Sequence, residues 1–421
     1  MVERGKMPMT ARPGREEADL NSRRDSGGDR VRGVTDIPLI QFSSLLPAGS
    51  HPKRPFNMVA LCLNRTLGDF AVGLCFAASV KRLFDHARLA VYFHNDRPYK
   101  LPLIRACPEI DVLFEYDAED KMPFEAFDAA FGGPVRVSDP RWYDNRFQFA
   151  DLVLTPSMML DKFLCNFEQP ARLRIPPEEI PGLEKRLIEA GVDPKRWFTV
   201  LHYREPNYGT RPADPLRDLD PEILQWVSDR IIDDLGGQVV RVGHREMASF
   251  KARDGFVDLA PLEDDAFTLQ LFAMSRARFM IAGASGPHNC AAALGTPTGI
   301  FASTGRYGVW NPGDAHLHSH IFTPNGERVD PGFALEREMH TGVILNEYLR
   351  RGFQVRLPSG LEILAMANHL LGQSTDTPGW RIHWYEREVR KTNGFQWPMK
   401  AGSRAQNLFF PDLAPTGPEV D

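Results

Sequence analysis

Seven residues in a row, Gly283-Ala284-Ser285-Gly286-Pro287-His288-Asn289, combine small side chains with a hydroxyl, an imidazole and an amide. They lie between an apolar stretch, RFMIAG, and a helix-forming one, HNCAAALG. A loop that ends a strand and opens a helix points free backbone N–H groups and the positive end of the helix dipole at whatever sits there, which suits a phosphate. Ser285 can donate a hydrogen bond, Gly286 lets a ligand approach the backbone, and His288 or Asn289 can reach a ribose or phosphate. The plainer alternative is a tight strand-to-helix turn with Ser285 as the helix cap.

Two further loops carry reactive groups. After WFTVLHYR come His202, Arg204, Glu205, Asn207, Tyr208, Thr210 and Arg211. A guanidinium at Arg204 can hold a pyrophosphate through two parallel hydrogen bonds; it can equally form a structural ion pair with Glu205 or Asp214. Thr66-Leu67-Gly68-Asp69 follows the first apolar run of the chain. Asp69 can take a proton from an attacking hydroxyl as general base, or cap the next helix. In AHLHSHIF, the alternating His316, His318 and His320 would share one face of an extended segment. No carboxylate or cysteine is spaced to complete a metal site there, so a loop lining a cleft is preferred and no metal is expected. GxxxxGK[ST], HExxH, CxxC and the GxSxG elbow are all absent from the sequence.

The elements that must position these loops read as α/β. NMVALCLN is a continuous apolar run, as expected for a strand covered on both faces. A turn at residues 65–69, the helical stretch FAVGLCFAASVKRLF, the strand RLAVYFHN, helical LPLIRAC and the strand IDVLFEY complete β-α-β-α-β. FDAAFG and DLVLTPSMMLDKFL offer further pieces, and a helix then stops at Gly191. A second series begins at Trp197: WFTVLHYR, a helix over 219–235, QVVRVGH, GFVDLA, a helix in DAFTLQLFAMSRA, RFMIAG, HNCAAALG and PTGIFAS. Two such series predict two Rossmann-like parallel-sheet domains facing across a cleft, with ligands at the strands' carboxyl ends. The expected domains are 55–185 and 195–375. Residues 1–50 form a polar tail expected to be disordered, 305–357 read as irregular, and 376–421 is an extension with no assigned structure.

Composition agrees with an ordinary globular chain. The 421 residues are 43% hydrophobic and 25% charged, with net charge −5, so no basic field points to nucleic acid. Mean hydropathy is −0.32, and no apolar run reaches the roughly 20 residues a membrane helix needs. The N-terminus has no apolar core of a secretory signal. The five cysteines are scattered without disulfide or zinc spacing, which fits a reducing cytoplasm.

These pieces resemble the heptosyltransferase family, glycosyltransferase family 9. Leu67-Gly68-Asp69, VKRLFDHARLAVYF and Pro108-Glu109-Ile110-Asp111 match its N-terminal pattern. FVDLAPLEDDAFTLQLFAMSRARFMIAGASGPHNCAAALGTPTGIFAS is similar to its donor-site segment, whose motif usually reads Asp-(Ser/Thr)-Gly-x-x-His before AAALGTP. Ala284 stands where the aspartate is usual, Asn289 where the histidine is usual, and the family's Lys-Arg-Trp is absent near Thr210-Arg211-Pro212. Tyr203-Arg204-Glu205-Pro206-Asn207-Tyr208 also resembles a string in a group of bacterial glycosyltransferases, and His202-x-Arg204 echoes fucosyltransferases that bind GDP-fucose.

The resemblance implies a GT-B fold and transfer of a sugar from a nucleotide-diphosphate donor to a saccharide or glycolipid acceptor in bacterial surface polysaccharide or glycoconjugate synthesis. Asp69 would be the base; His202, Arg204, Arg211, Ser285, Gly286, His288 and Asn289 would bind the donor. The nucleotide sugar is a substrate, so no cofactor is implied. A lipid-linked acceptor would bring peripheral contact with the inner membrane. Two alternatives stand beside this reading: a non-catalytic nucleotide-sugar or glycan binder, motivated by Ala284 and Asn289, and a sugar-nucleotide epimerase of the same fold.

Overall fold

The computed structural model describes residues 40–41, 56–62, 66–84, 86–115, 150–154, 167, 170–205, 214–262, 266–303, 314–337, 339–340, 342–372, 381–387, 395–396 and 403–409. The N-terminal half runs β1 (Phe56–Cys62), α1 (Leu67–Lys81), β2 (Ala87–Phe93), α2 (Lys100–Arg105), β3 (Val112–Glu115) and β4 (Leu152–Leu154). These strands form one parallel sheet in the order β3-β2-β1-β4. The chain order reverses direction beside β1, so the crevice at the carboxyl end of β1 is where such a sheet takes a ligand. FDAAFG lies outside the described residues; DLVLTPSMMLDKFL supplies β4 and is otherwise outside them.

The C-terminal half follows α3 (Ile180–Glu189), which ends ahead of Gly191 at φ +109. It runs β5 (Phe198–His202), α4 (Pro221–Leu235), β6 (Gln238–Arg241), β7 (Phe256–Asp258), α5 (Ala266–Arg276), β8 (Phe279–Gly283), α6 (Gly286–Leu294) and β9 (Thr298–Ser303). Local chemistry sets the ends of α4: the Asp220 carboxylate accepts from Glu222 N at 2.9 Å, Pro221 fills a position that needs no N–H, and Gly236 closes the helix at φ +70.

Beyond β9, the described residues of the segment expected to be irregular form regular elements. It holds β10 (Ala315–His318), β11 (His320–Phe322), α7 (Pro331–Glu336), α8 (Gly342–Arg350) and β12 (Gln354–Arg356), followed by α9 (Gly360–Leu370). The extension supplies β13 (Arg381–Arg387) and β14 (Ser403–Phe409), so among the described residues the C-terminal sheet has eight strands in the order β13-β14-β10-β9-β8-β5-β6-β7. β14 joins β10 in parallel and β13 is antiparallel at the edge. The expected boundary at 375 therefore falls between strands of one sheet. In the polar tail, Ile40–Gln41 pairs with Phe395–Gln396; the rest of 1–50 lies outside the described residues.

α1 explains how the halves meet. Every residue from Phe70 to Val80 is buried, because the helix has the N-terminal sheet on one side and α6 of the other half on the other. A single apolar core runs through Met58, Phe70, Leu74 and Phe76 of the first half and Leu271, Met274, Cys290 and Ala293 of the second. The connecting segment is stitched to both: Ala171 N donates to Ser79 Oγ at 2.8 Å, Leu173 N to Ala293 O at 2.9 Å, and Arg172 Nη1 to Ala292 O at 2.9 Å. No helix among the described residues is long and apolar enough to cross a membrane.

Candidate functional site

In the C-terminal sheet the chain order reverses between β5 and β8. These strands are paired in parallel with His202 opposite Ala282, so the loops that follow them leave the sheet side by side. A Cβ on Gly283 would lie 3.6 Å from Arg204 N and 3.2 Å from the Phe301 ring. The two donor-side loops expected from sequence are therefore brought together at the switch point of the sheet.

Ser285 occupies the N-cap of α6 with extended backbone, φ −155 and ψ 174. Its hydroxyl donates to Gly283 O at 3.0 Å, and its N–H donates to His288 Nδ1 at 3.0 Å. The imidazole thus replaces the usual acidic residue of a reciprocal cap. Burial, with Arg217 and His202 nearby, lowers the His288 pKa to about 3, so the ring is neutral. Since Nδ1 accepts, its proton sits on Nε2. Ala284, at the place of the family's aspartate, is fully buried. Asn289 is buried and faces the other half.

Arg204 stands where sequence put it, after β5, with its side chain on carboxylates. Nε lies 3.2 Å from Asp218 Oδ1 and Nη1 lies 3.8 Å from Asp214 Oδ2. Asp218 is held in turn by Asp214 N at 2.6 Å, and Leu219 N donates to Arg204 O at 2.9 Å. Of the two ion-pair partners considered, Asp214 is present, whereas Glu205 turns away. The Glu205 carboxylate accepts from Tyr203 Oη at 3.0 Å and from Ala248 N at 2.8 Å, in a buried network with Arg241. His202 is buried, and its Nδ1 meets Val242 O at 3.0 Å; a carbonyl only accepts, so Nδ1 carries a proton. Arg211, Asn207, Tyr208 and Thr210 lie outside the described residues.

Sequence reasoning missed Arg217. Its Nε donates to Ala284 O at 3.1 Å, its Nη2 bonds the same carbonyl, and Nη1 lies 3.9 Å from Asp214. It places a half-exposed guanidinium on the β8–α6 loop itself. Its only local sequence signal is the cluster of charges Asp214, Arg217 and Asp218, since the contact with Ala284 spans 67 positions.

Asp69 lies on the first turn of α1, because the helix starts at Leu67 rather than after the turn expected at 65–69. Thr66, with extended backbone, holds the N-cap position, and its hydroxyl bonds the Asp69 carboxylate. Asp69 is therefore not the cap. It is exposed. Gly68, its neighbour, abuts the α6 loop: a Cβ there would lie 2.4 Å from Asn289 Nδ2 and 3.1 Å from Gly286 Cα. Gly286, expected to admit a ligand to the backbone, packs against Leu67 and Gly68, with 2.9 Å from its would-be Cβ to Leu67 Cβ.

The three histidines do not share one face. His316 and His318 do, with rings 6.0 Å apart, and His340 lies 4.4 Å from His318. The strand ends at His318, and beyond Ser319 His320 begins another sheet, its Nε2 2.6 Å from Glu362 Oε1. Burial, then His318 and His288, takes the His316 pKa down to about 3. Among the described residues no group of three such side chains is arranged to hold a metal ion. The four described cysteines, Cys62, Cys75, Cys107 and Cys290, are buried and unpaired as disulfides, and burial pushes the Cys75 thiol up to about 12.

No protein-family model matches the chain, and no curated protein matches it. Among solved structures it is similar to a glycosyl transferase family 9 protein from Veillonella parvula DSM 2008, at 14% identity over 77% of this chain and 100% of that one, with a TM-score of 0.49. It is also similar to the E. coli ADP-heptose lipopolysaccharide heptosyltransferase II, at 13% identity over 69% and 99% and a TM-score of 0.42. A third is the E. coli heptosyltransferase WaaC with ADP-2-deoxy-2-fluoro heptose, at 10% identity over 70% and 99% and a TM-score of 0.36. At such identities and scores the likeness carries no functional inference.

Proposed function

We propose that this protein is a glycosyltransferase of the hexosyl or heptosyl type, moving a sugar from a nucleotide-diphosphate donor to a saccharide or glycolipid acceptor. One observation carries the reading: the amino end of α6, the Arg217 and Arg204 guanidinium groups and the helix bearing Asp69 all converge at the switch point between β5 and β8. The resemblance of LGTP and the preceding Ser285-Gly286 to a donor-site motif supports it.

In this reading the diphosphate lies at the carboxyl ends of β5 and β8. Arg217 and free N–H groups of the loop meet its charge, while Arg204 exchanges an aspartate, and the Ser285 hydroxyl the Gly283 carbonyl, for phosphate. His288, neutral with its proton on Nε2, is a hydrogen-bond donor that does not titrate near neutral pH. Asp69 removes the proton from the acceptor hydroxyl, which attacks the anomeric carbon as the nucleoside diphosphate leaves, with inversion. Guanidinium groups, not a metal, take up the charge of the leaving group. The ion pairing of Arg204 with Asp218 favours one second reading, a nucleotide-sugar binder without turnover.

The test is a thermal-shift screen against UDP, GDP, ADP and CMP sugars. A ligand at 100 times its Kd stabilises by about 2.7 kcal/mol, so a true donor is visible. With a donor found, Asp69→Ala is expected to lower kcat by about 10²–10⁴. Full activity of that variant would remove the base assignment. Binding without hydrolysis or transfer would favour the binder. If no nucleotide sugar shifts the melting point, the proposal fails.

A further inference from the structure

At the seam between the halves, two glycines and an asparagine meet closely. Gly68 is the second residue of α1 and Gly286 the first of α6. A Cβ on Gly286 would lie 3.0 Å from Gly68 N, and a Cβ on Gly68 would lie 2.4 Å from Asn289 Nδ2. Contacts under 3.0 Å are closer than side-chain carbons tolerate, so both positions exclude a methyl group unless the helices part or Asn289 moves. Asn289 is 7% exposed, and its Oδ1 has no hydrogen-bond partner among the described residues. An unsatisfied buried acceptor is costly; it is held there by the packing of its neighbours. The residue after Gly68 is Asp69, on the same helical turn.

We propose that Asn289 is a positioning residue: through its contact with Gly68 it sets the spacing between the α6 loop and the helical turn that carries Asp69. The assignment deepens the proposed function and rests on it for the role of Asp69; the contact itself does not. It gives the departure at 289 a physical meaning. A histidine at this place would carry a larger, rigid ring into the space the amide already fills, and α1 would have to move outward with Asp69. Asparagine lets the two helix ends come together, and Gly68 is the complement that makes room for its amide.

A size-swap cycle tests this on the full chain with Gly68→Ala, Asn289→Ala, Gly68→Ala/Asn289→Ala and Asn289→His. The readouts are thermal melting and hydrogen exchange of residues 67–70 and 285–290, without and with ADP, GDP and UDP as probes. Gly68→Ala and Asn289→His are expected to speed exchange at both helix ends by about tenfold or more. The double variant is expected to recover most of the loss, because the methyl fills the space the amide leaves; such coupling is the mark of a direct contact. In the wild type, the nucleoside diphosphate that binds is expected to slow exchange of residues 67–70 in the opposite half. Gly68→Ala is expected to lose that response while still binding the probe, and the double variant to regain it. A merely structural contact would alter melting without this transmitted response. Additive effects in the cycle, or a transmitted response intact in Gly68→Ala, would overturn the proposal. If no nucleoside diphosphate binds the wild type, the proposed function fails on its own, and the cycle still decides the contact.

Discussion

Acidification from about pH 7.5 to about pH 5 is expected to destabilise this protein through its buried imidazoles, well before its carboxylates titrate. His288 and His316 both have folded pKa values near 3, set first by burial, against about 6.5 when unfolded. The folded ring is the one that resists the proton, so at pH above the unfolded value neither state is charged and stability is unaffected. As pH falls below about 6.5 the unfolded chain takes up protons that the folded chain does not, and stability drops until the folded values are reached. At pH 5 the gap is about 1.5 units, or about 2 kcal/mol for each ring and about 4 for both. That is a large part of a usual total of about 5–15 kcal/mol. His340, lowered by burial and by His318 and His320, acts in the same direction. Asp96 and Glu362, both with lowered pKa values, titrate below this window. The assay is urea unfolding followed by tryptophan fluorescence across that range, for the wild type, His316→Leu and His288→Gln. Each variant is expected to lose about half of the pH-dependent change due to the two rings. A wild-type stability that is flat to about pH 5, or slopes unchanged in both variants, would refute the burial of neutral imidazoles.

Other expectations follow from single side chains. Arg241 is 1% exposed and holds Asp258 through two bonds, at 3.0 and 2.7 Å; Arg241→Ala leaves that carboxylate with no counter-charge and only the Ala260 N–H at 3.0 Å, and is expected to cost about 3 kcal/mol in urea unfolding. Arg217→Ala is expected to weaken nucleoside-diphosphate binding about 10- to 100-fold by calorimetry, with Arg217→Lys recovering only part, because an ammonium cannot form the paired hydrogen bonds of a guanidinium.

The sheet strands were legible because a strand covered on both faces needs an unbroken apolar run, and VALC, VLH and FMIAG supply one. Two misplacements have clear causes. α1 has no amphipathic pattern, since it is covered on two sides, and Thr66 gives little cap signal, so the helix start was read too late. SRAQNLF and RIHWYER mix polar and apolar residues without a clean alternation, so the strands that extend the C-terminal sheet went unassigned. That the Ser285 and Arg204 loops lie side by side was legible from their place at the ends of strands. Arg217 was not, because its partner is a backbone carbonyl, which any residue could provide. The contact of Asn289 with Gly68 was equally hidden, because nothing in either segment says which helix it will meet.

The core shared by α1 and α6 also fixes an order of events during synthesis. α1 is complete at Lys81, while its cover, α6, ends at Leu294. Until the ribosome has passed that point, Phe70, Leu74 and Phe76 lack part of their partner surface, and contacts so distant in sequence form slowly. The N-terminal half is thus a nascent chain that must wait. A fragment ending near residue 195 is expected to be recovered in aggregates or bound to chaperones, and to become soluble when the remainder is co-expressed.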